Sequence, residues 1–299
     1  MAKFRANHRR QGMFGGIFKL ILLFAIGLII LLFSKPFISS LVDKMYKLED
    51  RSDTTNRERF YLPEPQSDAI YNYEGFSLAY NEKSEQASWV AYELTVAQLN
   101  APKVNRSDYF NDDPQIRGGS ATYYDYKNSG YTKGHLVPAA DRAYSVKTME
   151  ETFLMSNITP QTYAFNGGIW RELEEQTRDW ARTNRSLYIV CGPIFNKSNR
   201  QYIGTNQVAV PEAFFKVILD DNPPELKGIG FIIPNERSEL PLQEYAVNID
   251  KVEEKTNLDF FYELFTNKLE DSIESHLDLH QWSFDPDRYR LRVENWNNR

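Results

Sequence analysis

Three stretches decide how this chain is read: Tyr131-Thr132-Lys133-Gly134-His135-Leu136-Val137-Pro138-Ala139-Ala140-Asp141, then Phe153-Leu154-Met155-Ser156-Asn157-Ile158-Thr159-Pro160-Gln161, then Phe165-Asn166-Gly167-Gly168-Ile169-Trp170-Arg171-Glu172-Leu173-Glu174. The chain has four histidines, His8, His135, His276 and His280. Only His135 has a setting suited to chemistry. Gly134 before it and Pro138 after it fix the backbone, and Lys133 and Asp141 make the neighbourhood polar. His276 and His280 lie four apart on a predicted helix but lack the intervening Glu of a zincin motif, so they read as surface or packing residues.

The third stretch opens a predicted helix over residues 168–180, with Ile169, Leu173, Gln176 and Trp180 along one side. At about 100° per residue, Asn166 and Glu174 fall roughly 80° apart around a helix, close enough to serve one site. An Asn oxygen, a nearby carboxylate and waters suit a hard divalent cation such as Mg²⁺. A neutral His beside such a cation is a general base for water. Without His135, Asn166 would read as a helix cap and Glu174 as part of a solvated face.

Working outward, residues 71–80 and 89–95 alternate with many aromatics and read as strands. Residues 186–190 form another strand, turning at Cys191-Gly192-Pro193. Residues 213–219 and 229–233 are further strands, separated by the turn-forming Asp221-Asn222-Pro223-Pro224. Asp250, with Glu253 three residues later, reads as the N-cap of a helix. Strands and helices do not alternate in βαβ fashion, so the class is α+β. No internal repeat and no glycine-rich phosphate loop occurs. One domain is expected over residues 68–285, with a tail at 286–299. Cys191 is the only cysteine, which excludes an internal disulfide framework and a cysteine zinc site.

Charge is unevenly spread along the 299 residues, whose formal net charge is −6. Residues 1–35 hold Lys3, Arg5, Arg9, Arg10, Lys19 and Lys35 and no acid, leaving 29 basic against 41 acidic groups in the rest. A protein coating nucleic acid would be basic throughout, so phosphate chemistry here must be local. Residues 13–33 are apolar or glycine apart from Lys19 and, as a helix, would span roughly 31 Å. Residues 1–12 then form a basic cytoplasmic tail, 13–33 a transmembrane signal anchor and 34–67 a stem, with the bulk of the chain on the periplasmic or extracellular side. A cleaved signal peptide, giving a secreted protein, and a mitochondrial import signal are the alternatives.

Together the three quoted stretches resemble the DNA/RNA non-specific endonucleases of the ββα-metal (His-Me finger) class. The resemblance extends upstream through Arg106–Pro114 to residues 89–95 and 77–81 and downstream to about residue 261, covering most of residues 68–270 in order. It implies a ββα-metal fold, with a mainly antiparallel central sheet flanked by helices. It also implies Mg²⁺-dependent hydrolysis of phosphodiester bonds in DNA and RNA, with Mn²⁺ as another possible ion. By the same resemblance His135 is the general base, and Asn166 the one direct protein ligand of the metal, which bridges the scissile phosphate. Glu174 holds a metal-bound water, Arg106 and Lys133 neutralise phosphate oxygens, and Asn157 positions neighbours. Two departures stand out. Thr132-Lys133 replaces the family's usual Asp-Arg, so the planar fork that grips phosphate is lost, and Gly167 replaces an Arg. Structural alternatives remain: Arg106 as an ion-pair partner of Asp108, Asp112 or Asp113, Lys133 as solvated, and Asn157 as a turn cap. For the whole chain, the alternatives are a non-catalytic envelope protein that binds nucleic acid or a partner, or a phosphodiesterase for smaller substrates.

Overall fold

The computed structural model describes residues 61–222, 226–263 and 267–298. The predicted anchor at 13–33 lies outside these residues, as do Pro223 and Pro224 of the predicted turn. Among the described residues no helix is long and apolar enough to cross a membrane.

Seven strands form one sheet: β1 (Ala69–Asn72), β2 (Ser77–Asn81), β3 (Gln86–Thr95), β6 (Ser186–Ile194), β9 (Ala213–Asp220), β10 (Lys227–Pro234) and β11 (Ala246–Val247). Their spatial order is β1-β2-β3-β6-β9-β10-β11, and each neighbouring pair is antiparallel. Two small pairs stand apart, β4 (Thr132–His135) with β5 (Ile158–Gln161), and β7 (Gln201–Ile203) with β8 (Val208–Val210). The helices are α1 (Val96–Asn100), α2 (Tyr123–Tyr126), α3 (Val146–Glu151), α4 (Arg171–Asn184), α5 (Ile249–Thr256), α6 (Asn267–Glu274) and α7 (Pro286–Glu294).

Both faces of the sheet are covered, so the central strands are continuous apolar runs with little polar alternation. In β9, Phe214 and Ile218 pack with Trp170, Leu173, Trp180 and Cys191 on one face. Phe215, Val217 and Leu219 pack with Ile249, Val252, Phe260 and Ile273 on the other. The first core carries α4 and the second carries α5 and α6.

Several expectations need correction. The predicted strand at 71–80 is two strands, β1 and β2, in an antiparallel pair. Cys191-Gly192-Pro193 is not a turn. β6 runs through it to Ile194, because Gly192 lets β3 approach: a Cβ there would lie 2.3 Å from Ser88 O. Asp250 is not the cap of α5. Asn248 is, its side chain accepting from Lys251 N–H. His276 and His280 do not share a helix. α6 ends at Glu274, and His280 lies in a separate turn, Leu279–Gln281.

The domain also reaches past both expected ends. Tyr61 stacks on Tyr188 at 5.2 Å, and Glu64 N–H donates to Asp259 O at 2.8 Å. Residues 286–298 are not a tail. Asp285 caps α7, and Pro286 opens it, where a missing N–H costs nothing. The fully buried Arg292 pairs with Glu172 of α4 and donates to Ser238 O and Leu240 O. Truncating Arg292 strands a buried carboxylate and the Leu240 carbonyl, while Ser238 O keeps its bond from Asn297 Nδ2. Arg292→Ala should therefore lower the unfolding free energy by about 3–5 kcal/mol, measured by equilibrium urea denaturation.

Candidate active site

The site is built on the β4–β5 pair and the helix that follows it. His135 ends β4 opposite Ile158, and Lys133 lies opposite Pro160. Gly134 is required between them, since a Cβ there would fall 2.1 Å from the buried Gln161 side chain. Beyond His135 the chain is fastened by Asn157, whose side chain is wholly buried. Its Oδ1 accepts from Val137 N–H at 2.9 Å, while Nδ2 donates to Val137 O at 3.1 Å and Thr152 O at 2.9 Å. Asn157 therefore sits behind the site with its hydrogen-bonding capacity spent on backbone. Cys191 adds a second fastening, its Sγ–H donating to Leu136 O at 3.3 Å. Burial pushes that thiol up to about 12, so it stays protonated and inert.

The His135 ring stands edge-on to Phe153, with centroids 4.7 Å apart, and 5.6 Å from Phe110. Its Nε2 is buried and has no hydrogen-bond partner. Burial, and then the charge of Arg106, push its pKa down to about 3. The imidazole is therefore neutral at physiological pH and offers a lone pair to a proton.

Two cations share this aromatic platform. Arg106 lies over Phe153 at 5.0 Å, and the Lys133 ammonium lies over Tyr123 at 4.5 Å and Phe110 at 5.1 Å. Arg106 also meets Asp108 at 3.6 Å at the surface, so the structural alternative for Arg106 is partly realised. Cation–π contacts use the charge but leave N–H donors available.

Asn166 does not sit on a continuous α-helix with Glu174. It lies in a wider π-type turn, Phe165–Trp170, in which Gly168 departs from helical geometry (φ −106°, ψ −110°). The 100° spacing therefore does not apply, and α4 starts only at Arg171. Asn166 is oriented by β4 instead: its Nδ2 donates to Thr132 Oγ1 at 2.8 Å, and that hydroxyl donates to Gln161 O at 3.0 Å. With the nitrogen tied down, the Asn166 Oδ1 accepts no hydrogen bond among the described residues.

Glu174 is partly buried, and burial pushes its carboxyl up to about 7. Lys216, Arg178 and Arg106 pull in the opposite direction, while Asp141 raises it further. Arg106 thus acts on both His135 and Glu174, which places imidazole, guanidinium and carboxyl in one electrostatic environment. The structure brings together His135, Arg106 and Lys133 on shared aromatic rings, joins Asn166 through Thr132, and reaches Glu174 through charge. Asn157 is held apart, behind the hairpin.

Sequence reasoning missed the support beneath Glu174. Arg178 and Asp141 form a shielded ion pair at 2.9 Å, and Tyr92 OH donates to Asp141 at 3.0 Å. The fully buried Lys216 lies 4.5 Å over the Trp170 ring. Signals existed for both. Arg178 is four residues after Glu174 on a helix, and a Lys within Phe214-Phe215-Lys216-Val217-Ile218 must face a core. Phe110 and Phe153 gave no signal beyond being aromatic.

Residues 53–267 match the family model described as DNA/RNA non-specific endonuclease. The chain belongs to this family. It is 31% identical over 271 residues to the mitochondrial nuclease EXOG of Danio rerio, covering 81% of this chain and 79% of that protein. It is 33% identical over 200 residues to the mitochondrial endonuclease G of Homo sapiens, covering 62% and 67%. A solved structure of endonuclease G in complex with EndoGI matches with a TM-score of 0.63 at 28% identity, covering 68% of this chain and 89% of that one. The chain is accordingly a hydrolytic endonuclease with nucleic acid as substrate, in a family that depends on a divalent metal. The residues fit such an ion: Asn166 presents a free hard oxygen on a fixed amide, and the orphaned His135 Nε2 stands ready for a proton.

His135 also sets an acid-side stability. Its folded pKa of about 3 lies below the ordinary 6.5, so its contribution is complete above pH 6.5 and is lost as pH falls toward 3. His135→Leu should flatten that part of the profile, giving a urea midpoint that falls less between pH 6.5 and 3 than in the unsubstituted chain.

Proposed function

We propose that this endonuclease cuts DNA and RNA without sequence preference, with His135 as general base and Asn166 as the one direct protein ligand of Mg²⁺ or a similar ion such as Mn²⁺. The observation that carries the reading is the neutral, partnerless His135 on a hairpin whose other end orients Asn166. His135 takes a proton from the attacking water at its lone pair. Arg106 and Lys133, held on aromatic faces, turn N–H donors toward the non-bridging oxygens of the phosphate. A bound dication supplies Lewis-acid charge to those oxygens. Glu174 accepts from the ion's hydration shell and restrains it.

The departure at Thr132-Lys133 has a physical reading. Thr132 supplies the acceptor that fixes the Asn166 amide, so the metal-ligand oxygen stays aimed without a carboxylate at this position. Lys133 gives charge without a planar fork, which favours backbone contact over directed bidentate grip. Nothing in this set of groups reads base edges, so sequence preference is not expected.

Digestion of plasmid DNA and of structured RNA by the full chain tests this reading. Activity should require a divalent ion and disappear with EDTA. His135→Ala should reduce the rate by about 10²–10⁴-fold. Asn166→Ala should raise the Mg²⁺ concentration for half-activity, and Thr132→Val should move it the same way by less. Failure of the unsubstituted chain to digest either substrate with Mg²⁺, Mn²⁺ or Ca²⁺ would refute the reading.

For placement, we propose that residues 13–33 anchor the chain with its N-terminus in the cytoplasm and the nuclease domain on the periplasmic or extracellular side. The mitochondrial names of EXOG and endonuclease G support the alternative of an inner-membrane protein facing the intermembrane space. A C-terminal reporter should be active only outside the compartment that holds residues 1–12. Reporter activity on the same side as those residues would sink both placements.

A further inference from the structure

Across the sheet from His135, α5 and α6 bring three carboxylates together. Asp250 and Glu253 are three residues apart on α5 and so lie on one side of it. Glu274 is the last residue of α6. One oxygen from each lies within 4.8 Å of the other two. Two ligands on opposite sides of a Ca²⁺, each at about 2.4 Å, stand about 4.8 Å apart, so a single ion reaches all three.

Glu274 shows that this is more than a surface acidic patch. It is only 7% exposed, and its Oε1 has no hydrogen-bond partner. The groups acting on it besides burial are Glu253, Glu270, Asp259 and Asp250, all acidic. The nearby cations of α5 are engaged elsewhere, Lys251 with Glu254 at 2.5 Å and Lys255 with Glu212 at 3.9 Å. An isolated buried carboxylate is strongly disfavoured, so such a group takes up either a proton or a cation. A proton bridges at most two of the three oxygens. A cation satisfies all of them and also answers the charge of Glu270 and Asp259. Glu253 is already held in place, since its Oε1 accepts from Phe260 N–H at 2.8 Å.

We propose that Asp250, Glu253 and Glu274 bind a second divalent cation, Ca²⁺ by the width of the site, separate from the nuclease centre. Mg²⁺ requires near-ideal octahedral geometry at about 2.1 Å, whereas Ca²⁺ accepts looser spacing and fills remaining positions with water on the exposed Asp250 side. The ion ties α6 to α5 and so fastens the second core over β9 and β10. Its role is to hold the fold, and it takes no part in hydrolysis.

The test is calorimetric titration of Ca²⁺ into the full chain carrying Asn166→Ala, with thermal unfolding in parallel. That background removes the ligand of the nuclease ion, so the result does not depend on the catalytic reading. One binding event is expected, together with a rise in the unfolding midpoint. Glu274→Gln and Asp250→Asn, each added to that background, should weaken binding about tenfold or more. Asp250 is exposed, so its substitution leaves the core intact and guards against loss of folding as the explanation. The proposal is overturned if millimolar Ca²⁺ gives neither heat nor a midpoint shift, or if binding survives both substitutions undiminished.

Discussion

The three hydrogen bonds of the Asn157 side chain hold the hairpin that carries His135 in place. They join the start of β5 to Val137, two residues beyond His135, and to Thr152 at the end of α3. No apolar contact could do this, because dispersion attraction does not fix the direction of a strand. With these bonds made, the imidazole has one position against Phe153. Without them, a buried N–H and two buried carbonyls would lack partners, and the segment carrying His135 would have to reach water.

The same burial then acts on two groups in opposite senses. It holds His135 neutral by lowering its pKa and holds Glu174 near neutrality by raising it. Arg106 touches both balances, opposing a proton on His135 and favouring charge on Glu174. An imidazole and a carboxyl in one electrostatic environment thus have their pKa values moved in opposite directions through placement, a pattern that recurs where acid and base roles share a site.

Much of this was legible in the chain. The long apolar runs gave β9 and β10, and the polar setting of His135 marked the hairpin on which the candidate site is built. The failures have local causes. Gly192 and Pro193 are turn residues by composition, yet the close approach of β3 to β6 requires a glycine inside the strand. Residues 168–180 read as one helix, because nothing in sequence distinguishes an α start from the π turn in which Gly168 sits. Asn248 and Asp250 are both capable caps, and the choice between them rests on where β11 ends. Lys216, Asp141 and Arg178 converge only through the sheet register and the docking of α4, which no spacing along the chain reveals. Arg292 looked like part of a charged tail because its partner, Glu172, is 120 positions away.

That last separation shapes how the molecule comes into being. Glu172 lies in the middle of the chain, and the guanidinium that satisfies it arrives only when residue 292 has left the ribosome. Until then α4 must keep that carboxylate in water, and the face of the sheet bearing the nuclease site lacks part of its cover. Vectorial synthesis therefore leaves this ion pair to form late, as a long-range event that follows the folding of the segment between its two partners.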